Sequence, residues 1–319
     1  IPPSKNGDYA YLLHIVRSLK RQGKAAVILP HGVLFRGNAE SEIRKNLIKK
    51  GYIKGLIGLP ANLFYGTGIP ACIIFIDKEN AQNRKAVFMI DASKGYIKDG
   101  NKNRLREQDI RKITDVFNSQ IIIDGYSKVV SVENIEENEY NLNIPRYIDR
   151  QEKEDIQDID AHLKGGIPDV DIDDLEKYWE VFPTLKTDLY AAERQGYSAL
   201  KIEYDQINTF IYERKEFVSF MTEMDTLFAI WEKETDKYLK TLGKDCHPKK
   251  VIAEISEKLL NIYYNKPLVD NYNVYQHLLS YWNEVMQDDI YIISYDGWKA
   301  ETYRVFKENS KKKMVDKGW

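Results

Sequence analysis

The sequence predicts an α/β fold in its first half and a mainly α-helical region in its second. Two observations predict this order: short apolar runs alternate with helix-period segments early in the chain, and heptad-like spacing follows later. The length of 319 residues suits two domains, and 43% hydrophobic residues suffice for packed cores. An acidic stretch around residues 133–160 separates the halves, so we place the domains at 1–150 and 151–319.

The first two predicted helices flank an uninterrupted apolar run. Residues 8–21 carry apolar side chains at helical spacing, with Asp8 as a plausible N-cap. The run at 25–29 predicts a strand that is buried on both faces. A second helix is expected from Asn38 or Ser41 to Gly51, where glycine ends it.

Three further strands are expected at 52–59, 71–76 and 86–91. A strand, a helix and a strand joined by short loops imply parallel pairing through right-handed crossovers. The last two runs lie closer together, so they allow an antiparallel hairpin around 77–85.

The second half predicts long helices. Apolar residues recur at alternating three- and four-residue steps over 207–242, which indicates one long helix, or two in register, with a partner along the seam. Further helices are expected at 251–263, following Pro248, and at 275–286.

Charge is divided unevenly along the chain. Residues 1–132 carry 22 Lys and Arg against 11 Asp and Glu, a net charge of +11, whereas residues 133–319 carry −13. A basic half suits a polyanion such as nucleic acid. The alternative is that two oppositely charged surfaces dock on each other.

Several classes of site and location are disfavoured by composition. No stretch reaches the roughly 20 apolar residues of a membrane span, and two cysteines fit a reducing compartment, so we expect a cytoplasmic protein. Cys246 and His247 lack a second ligand pair, so no metal site is expected. The sequence begins without Met and ends without a clear terminal feature, so we interpret it as a piece of a longer protein.

An aromatic pair follows the predicted strand 52–59. Phe64 and Tyr65 precede the sequence Gly66-Thr67-Gly68, which predicts a tight turn better than a phosphate loop, because an apolar strand follows it. Ligands bind outside the carboxyl ends of parallel strands, and an aromatic side chain there can stack on a base taken out of a duplex. The alternative is a core aromatic that fixes the loop.

A basic segment follows the last predicted strand. Its flexible cations lie beside Gly95 and Gly100 and suit a loop that contacts phosphates, although an ordinary solvated loop is the alternative. The candidate DNA-binding residues are Lys94, Lys98, Lys102, Arg104 and Arg106.

Several segments together resemble the carboxyl-terminal part of the modification subunit of type I restriction-modification systems, an N6-adenine DNA methyltransferase. The most specific stretch is 23–78, which includes Leu29-Pro30-His31-Gly32-Val33-Leu34-Phe35-Arg36-Gly37 and Asn62-Leu63-Phe64-Tyr65-Gly66-Thr67-Gly68. Further matches are 8–14, 103–105, Tyr140-Asn141-Leu142-Asn143-Ile144-Pro145-Arg146-Tyr147 and 274–282.

The resemblance implies the distal half of a Rossmann-like methyltransferase sheet that uses S-adenosyl-L-methionine. It implies that Phe64, or Tyr65 if the loop is shifted by one residue, stacks on the target base. It places Ala10 and Tyr11 near the cofactor and the target pocket. It also implies DNA and a specificity subunit as partners, with the helical region docking the specificity subunit, and it allows a restriction subunit of the same system as a further partner.

The family's Gly-rich cofactor loop and its Asn-Pro-Pro-aromatic motif are not found in these residues; Pro2-Pro3 lies between Ile1 and Ser4. We therefore expect that this fragment alone is inactive and does not bind the cofactor tightly. Two alternatives stay open: a non-catalytic module that assembles with DNA and partners, and an unrelated Rossmann-like enzyme.

Overall fold

The structure is a computed structural model that describes residues 2–3, 6–149, 157–299, 306–308 and 314–316. The chain divides into two compact units, residues 1–155 and 156–319. The first unit is an α/β unit and the second is mainly helical, so the predicted fold class is confirmed.

The first unit contains a five-stranded mixed sheet, a two-stranded hairpin and four helices among its described residues. Its elements are α1 (Asp8–Ser18), β1 (Lys24–Pro30), α2 (Ala39–Lys49), β2 (Ile53–Gly58), β3 (Ala71–Asp77), β4 (Ala86–Asp91), β5 (Ile97–Asp99), β6 (Lys102–Arg104), α3 (Glu107–Ser119), β7 (Ser127–Ser131) and α4 (Val132–Glu137).

The strand order is β1-β3-β2-β4-β7, which corrects two expectations. The hairpin expected around 77–85 is wrong, because β3 pairs antiparallel with β1 and β2, while β4 pairs parallel with β2. The prediction that β1 is buried on both faces is also wrong. β1 lies at the end of this sheet and exposes alternate side chains, including Ile28 at 54%.

Both faces of the central strands β2 and β4 are covered, in agreement with the alternation of side chains along each strand. Leu56 and Met89 point to one face, where they share a core with Leu12 of α1 and Leu47 of α2. The neighbouring residues Ile57, Phe88 and Ile90 form the opposite core with Ile113 and Val116 of α3. The apolar runs of β2 and β4 are therefore strands with helices packed on both faces.

The strand ends define the edge at which a ligand would bind. Pro30, Gly58 and Asp91 are the last residues of β1, β2 and β4, and the register Pro30↔Ala71, Gly58↔Cys72 and Gly58↔Asp91 brings these ends together. The segment 59–70 joins β2 to β3 at this carboxyl edge. The aromatic pair therefore lies where the strand pattern predicts a ligand site.

Residues 140–147 pack back onto the first unit, as their aromatic residues predict. The Arg44 guanidinium is 2% exposed and donates to the carbonyl oxygens of Tyr140 and Val33, both at 3.1 Å. The Leu142 amide donates to the Leu34 carbonyl at 2.8 Å. The buried guanidinium thus ties α2 to this segment.

The second unit combines short helices, a small antiparallel sheet in the order β8-β10-β9, and a helical bundle. Its elements are α5 (Ile159–Lys164), β8 (Ile167–Pro168), α6 (Asp169–Asp173), α7 (Glu176–Val181), α8 (Leu185–Leu189), β9 (Tyr190–Arg194), β10 (Tyr197–Leu200), α9 (Ile207–Tyr212), α10 (Lys215–Leu239), α11 (Pro248–Ile262), α12 (Asn271–Tyr281), α13 (Gln287–Asp296), β11 (Phe306–Glu308) and β12 (Met314–Asp316).

The heptad pattern of 207–242 forms two helices. Arg214 has an extended backbone between α9 and α10, and its guanidinium pairs with Asp188 and donates to the Thr184 hydroxyl at 2.8 Å. The two helices are thus separated at Arg214, a charged residue in a seam of mostly apolar residues. The other two predicted helices are present, and the last continues through a π-helical segment at Trp282–Met286 into α13.

The bundle core lies between α10, α11 and α12. The Trp231 indole donates to the Ile255 carbonyl at 2.9 Å, and the Tyr263 hydroxyl donates to the Met224 carbonyl at 3.1 Å. Two aromatic side chains of the core thus satisfy their polar atoms on neighbouring helices. Across the described residues, no helix combines the length and apolar character that a membrane span requires.

Candidate nucleic-acid interface

The loop between β2 and β3 is closed by backbone contacts at its base. The Asn62 amide donates to the Gly68 carbonyl at 3.4 Å, and Asn62 has a positive φ of 57°. A side chain at Gly68 would lie 2.9 Å from the Asn62 Oδ1, so glycine allows this approach. Gly66, with a φ of 78°, lies in the turn of the loop. The sequence Gly66-Thr67-Gly68 therefore forms a tight turn that leads into β3.

The two aromatic residues of this loop face outward. Phe64 is 41% exposed and Tyr65 is 94% exposed, so neither is a core side chain. Phe64 borders an apolar cavity of about 230 Å³ at the carboxyl end of β1. The cavity is lined by Ile28, Leu29, Pro30, Phe64, Thr67, Ile69, Pro70 and Ala71. Phe64 is thus a partly exposed ring beside an apolar recess, an arrangement that suits a flat apolar face such as that of a base.

The β5–β6 hairpin holds the aromatic loop. The Lys102 ammonium donates to the carbonyl oxygens of Phe64, at 2.8 Å, and of Thr67, at 3.2 Å. The Asn103 amide side chain donates to the Ala61 carbonyl at 2.7 Å, and its backbone amide donates to the Asn62 carbonyl at 3.0 Å. The structure therefore brings the predicted base-stacking loop and part of the predicted phosphate-binding segment into contact.

The other candidate cations of this segment differ in their surroundings. Lys94 and Lys98 are exposed, and the Lys98 ammonium lies 5.6 Å from the centre of the Tyr96 ring. Arg104 is exposed and pairs with Asp99 at 3.2 Å. Arg106 is half-buried and makes a bidentate pair with Asp109, both bonds at 2.9 Å, at the start of α3. Lys98 and Arg104 are therefore better placed to reach a phosphate than Arg106, which is held by its own helix.

The residues predicted to lie near the cofactor are on another element. Ala10 and Tyr11 are exposed side chains of α1, and Tyr11 is 73% exposed. In the part of the chain that the structure describes, neither residue lines the cavity beside Phe64. Their placement near the cofactor and the target pocket therefore stays a prediction.

Burial controls the titration of two groups near this edge. Burial lowers the pKa of His31, which follows β1, although the charge of Asp91 partly opposes this effect. Burial raises the pKa of the Cys72 thiol in β3 to about 12. The thiol is thus protonated at neutral pH and does not act as a nucleophile.

The cavity beside Phe64 does not fit S-adenosylmethionine by itself. Its lining is apolar and contains no carboxylate that could bind the ribose hydroxyls or the ammonium group of the cofactor. Asp91, a buried carboxylate at the same edge, already accepts from the Ser93 amide at 3.0 Å. The residues around this cavity therefore suit a flat ring, and the neighbouring hairpin offers cations for phosphates, whereas neither offers a site for the cofactor.

Sequence reasoning missed how the loop is held. Lys102 is predicted to bind phosphate, yet its ammonium bonds to two loop carbonyls, and Asn103 is not predicted to have a role at the site. The signal that could have found them is weak: both residues lie in a short hairpin with charged and amide side chains, which resembles many exposed turns.

Comparison with known proteins finds relatives of the first unit. Residues 1–156 match the family model described as N-6 DNA Methylase. The chain is 30% identical over 190 residues to the type I restriction enzyme MpnII methylase subunit of Mycoplasma pneumoniae, covering 59% of this chain and 35% of that protein. It is 36% identical over 160 residues to the MjaVII methylase subunit of Methanocaldococcus jannaschii, covering 49% of this chain and 27% of that protein.

One solved structure with a high sequence identity is the type I restriction-modification methyltransferase subunit of Streptococcus thermophilus. The identity is 47% and the TM-score is 0.44, over 46% of this chain and 31% of that one. The chain thus spans about a third of the length of the relatives it matches. The resemblance to type I modification subunits is confirmed, and residues 1–156 match the model of the N-6 DNA methylase family.

Proposed function

We propose that this chain is part of a type I DNA methyltransferase subunit that methylates adenine at N6, and that its first unit supplies the surface that holds the target base. The observation that carries this proposal is the exposed Phe64 ring beside an apolar recess, on a loop that Lys102 and Asn103 hold in place. The family match of residues 1–156 supports this reading over an unrelated Rossmann-like enzyme.

Methylation of an exocyclic nitrogen needs the base outside the helical stack, because the target atom cannot be reached inside a duplex. Unstacking costs a few kcal/mol, and an aromatic ring recovers about 1–3 kcal/mol per base. Phe64 is exposed enough to offer one face and buried enough to keep its position. Tyr65, at 94% exposure, is the second candidate for the same role.

The cations of the basic segment would fix the DNA relative to this loop. Lys98 and Arg104 lie in the same hairpin as Lys102 and Asn103, which hold the loop. Phosphate contacts position a protein on a duplex without reading its sequence. We infer that the hairpin sets the distance between the phosphate backbone and Phe64.

The methyl donor of the family is S-adenosylmethionine, and we propose the same donor for the whole protein. This chain's own residues would orient the base and exclude water around it, since the recess beside Phe64 is apolar. Their contribution to the reaction would be positioning rather than proton transfer.

The test of the proposed function is methyl transfer by the whole protein purified with its partner subunits. With S-adenosylmethionine and duplex DNA, we expect N6-methyladenine as the product. A non-catalytic assembly module would bind the same duplex and yield no methylated base, and that result would contradict the proposal.

We also propose that the helical unit docks the specificity subunit. Phe228 of α10 and Tyr281 of α12 are about half exposed, at 46% and 53%, and both border an apolar cavity of about 470 Å³ within the bundle. Exposed aromatic side chains around an apolar cavity are typical anchors of protein interfaces.

Changing Phe228 and Tyr281 together to serine should reduce co-purification of the specificity subunit at least tenfold, as expected for the loss of hot-spot residues. The matched control changes Tyr204 and Tyr264, which are 85% and 68% exposed and lie outside this cavity. Circular dichroism checks that both variants fold. Equal recovery of the specificity subunit with both variants would place the interface elsewhere.

A further inference from the structure

A second basic surface lies at the opposite edge of the sheet from the aromatic loop, where β1 and β2 begin and β3 ends. Backbone hydrogen bonds join its segments: the Lys78 amide donates to the Gly23 carbonyl at 3.1 Å, and the Asp77 amide donates to the Tyr52 carbonyl at 2.9 Å. The segments following α1 and α2 and the segment following β3 therefore meet in one place.

These segments enclose an open groove of about 890 Å³. Most of its lining residues carry a cation or an amide: Arg21, Gln22, Lys49, Lys50, Lys78, Asn80, Gln82 and Asn83. The remaining lining residues are Tyr52, Glu79 and Ala81. Glu79 is neutralised by Lys24, whose ammonium lies 2.6 Å from its carboxylate. The groove therefore has a strong positive charge excess.

Some of these cations have structural roles and some are available. The Lys78 ammonium donates to the Leu19 carbonyl at 2.9 Å, and Lys49 lies 3.8 Å from Glu136. Arg21 and Lys50 are exposed, and within the described ranges neither has a carboxylate partner within 4.0 Å. Two exposed, unneutralised cations therefore line the groove together.

The helix ends do not explain this much charge. The helices α1 and α2 end at Ser18 and Lys49, and each carboxyl end carries roughly half a negative charge. One positive charge would balance the two half charges of these helix ends, whereas four cations line the groove. The excess is available to an external anion.

We propose that this groove binds the phosphodiester backbone of a nucleic acid, at a site separate from the aromatic loop. A compact phosphate is captured by converging, buried donors, whereas Arg21 and Lys50 are exposed side chains spread along an open groove. Spread, flexible cations interleaved with amide groups suit an extended polyanion. The groove would hold a stretch of strand beyond the one at the target base.

The experiment measures binding of the 319-residue chain to labelled duplex and single-stranded DNA of equal length, by fluorescence anisotropy over a range of salt concentrations. The variant R21Q/K50Q removes the two available cations. The control K233Q/K237Q removes two exposed lysines from α10 in the acidic second unit, so both variants change the net charge equally. The single-stranded and duplex arms identify which form the groove prefers.

We expect R21Q/K50Q to lower the slope of log affinity against log salt by about 2, because each duplex phosphate contact contributes about 0.9. The control should leave the slope unchanged. The inference is overturned if the unmodified chain does not bind DNA at low salt, or if the two variants give equal slopes. It is also overturned if polyglutamate binds as tightly as DNA and loses as much affinity in R21Q/K50Q. If Phe64→Ala lowers methylation by the whole protein while R21Q/K50Q leaves the salt slope unchanged, this inference is overturned and the proposed function is left intact.

Discussion

If the whole protein is the DNA methyltransferase that we propose, replacing Phe64 by alanine is expected to lower its methylation of duplex DNA by about tenfold to a hundredfold. A base–aromatic stack is worth about 1–3 kcal/mol, and each 1.4 kcal/mol is a factor of ten. Phe64 lies beside an apolar recess that contains no group suited to the cofactor. We therefore expect the affinity for S-adenosylmethionine to stay within about twofold of the unmodified protein, as measured by calorimetry.

Two matched variants separate stacking from folding. Phe64→Tyr keeps the aromatic ring and should retain most of the activity, whereas Tyr65→Ala removes the more exposed neighbour and should have a small effect. If Tyr65→Ala abolishes methylation instead, Tyr65 is the stacking residue. A loss of cofactor affinity as large as the loss of turnover in Phe64→Ala would contradict the role of this loop.

Replacing Gly51 by alanine is expected to lower the free energy of unfolding of the chain by about 3 kcal/mol. Gly51 has a φ of 63°, a conformation that costs any other residue about 1–2 kcal/mol. An added Cβ would lie 1.9 Å from the Ala81 carbonyl oxygen, so the backbone would have to shift, and overpacking adds about 1–3 kcal/mol. Urea denaturation followed by circular dichroism measures the loss.

Gly37→Ala is the matched control, because a Cβ at that position has no atom within 4 Å and needs no unusual φ. Its free energy of unfolding should stay within about 0.5 kcal/mol of the unmodified chain. A Gly51→Ala variant as stable as this control would show that the turn between α2 and β2 can move away from Ala81.

The sequence pattern located β1 to β4 of the first unit, but not the β5–β6 hairpin, which was expected to be a loop, and not all strand partners. Residues 71–77 and 86–91 have the length and the apolar content of strands, and both form strands. Their closeness in sequence suggested a hairpin, yet β3 lies between β1 and β2. Strand partners depend on which faces the helices cover, and a local pattern does not contain that information.

The second unit shows the same limit for helices. The pattern of 207–242 left one long helix or two helices in register open. The structure has two, and Arg214 lies between them, paired with Asp188 of a distant segment. The small sheet that contains β9 and β10 was not predicted. Each strand begins with a tyrosine, but most of the remaining residues are Ala, Ser or charged, which carry little strand signal.

At the candidate site, the sequence predicted the aromatic pair, and the structure shows what positions it. Glycine near two aromatic residues at a strand end indicates a ligand loop. The ammonium of Lys102 and the amide of Asn103 bond to carbonyl oxygens some 35 to 42 residues earlier in the chain. Contacts of that range depend on the folded arrangement and leave no local pattern.

The central claim is that Phe64 stacks on the base taken out of the duplex. The most direct measurement places 2-aminopurine at the target adenine of the recognition site and records its fluorescence with the whole protein bound, because aromatic stacking quenches this base analogue. We expect the Phe64→Ala complex to be brighter than the unmodified complex, and the Phe64→Trp complex to be dimmer. Equal fluorescence from all three complexes would contradict the claim.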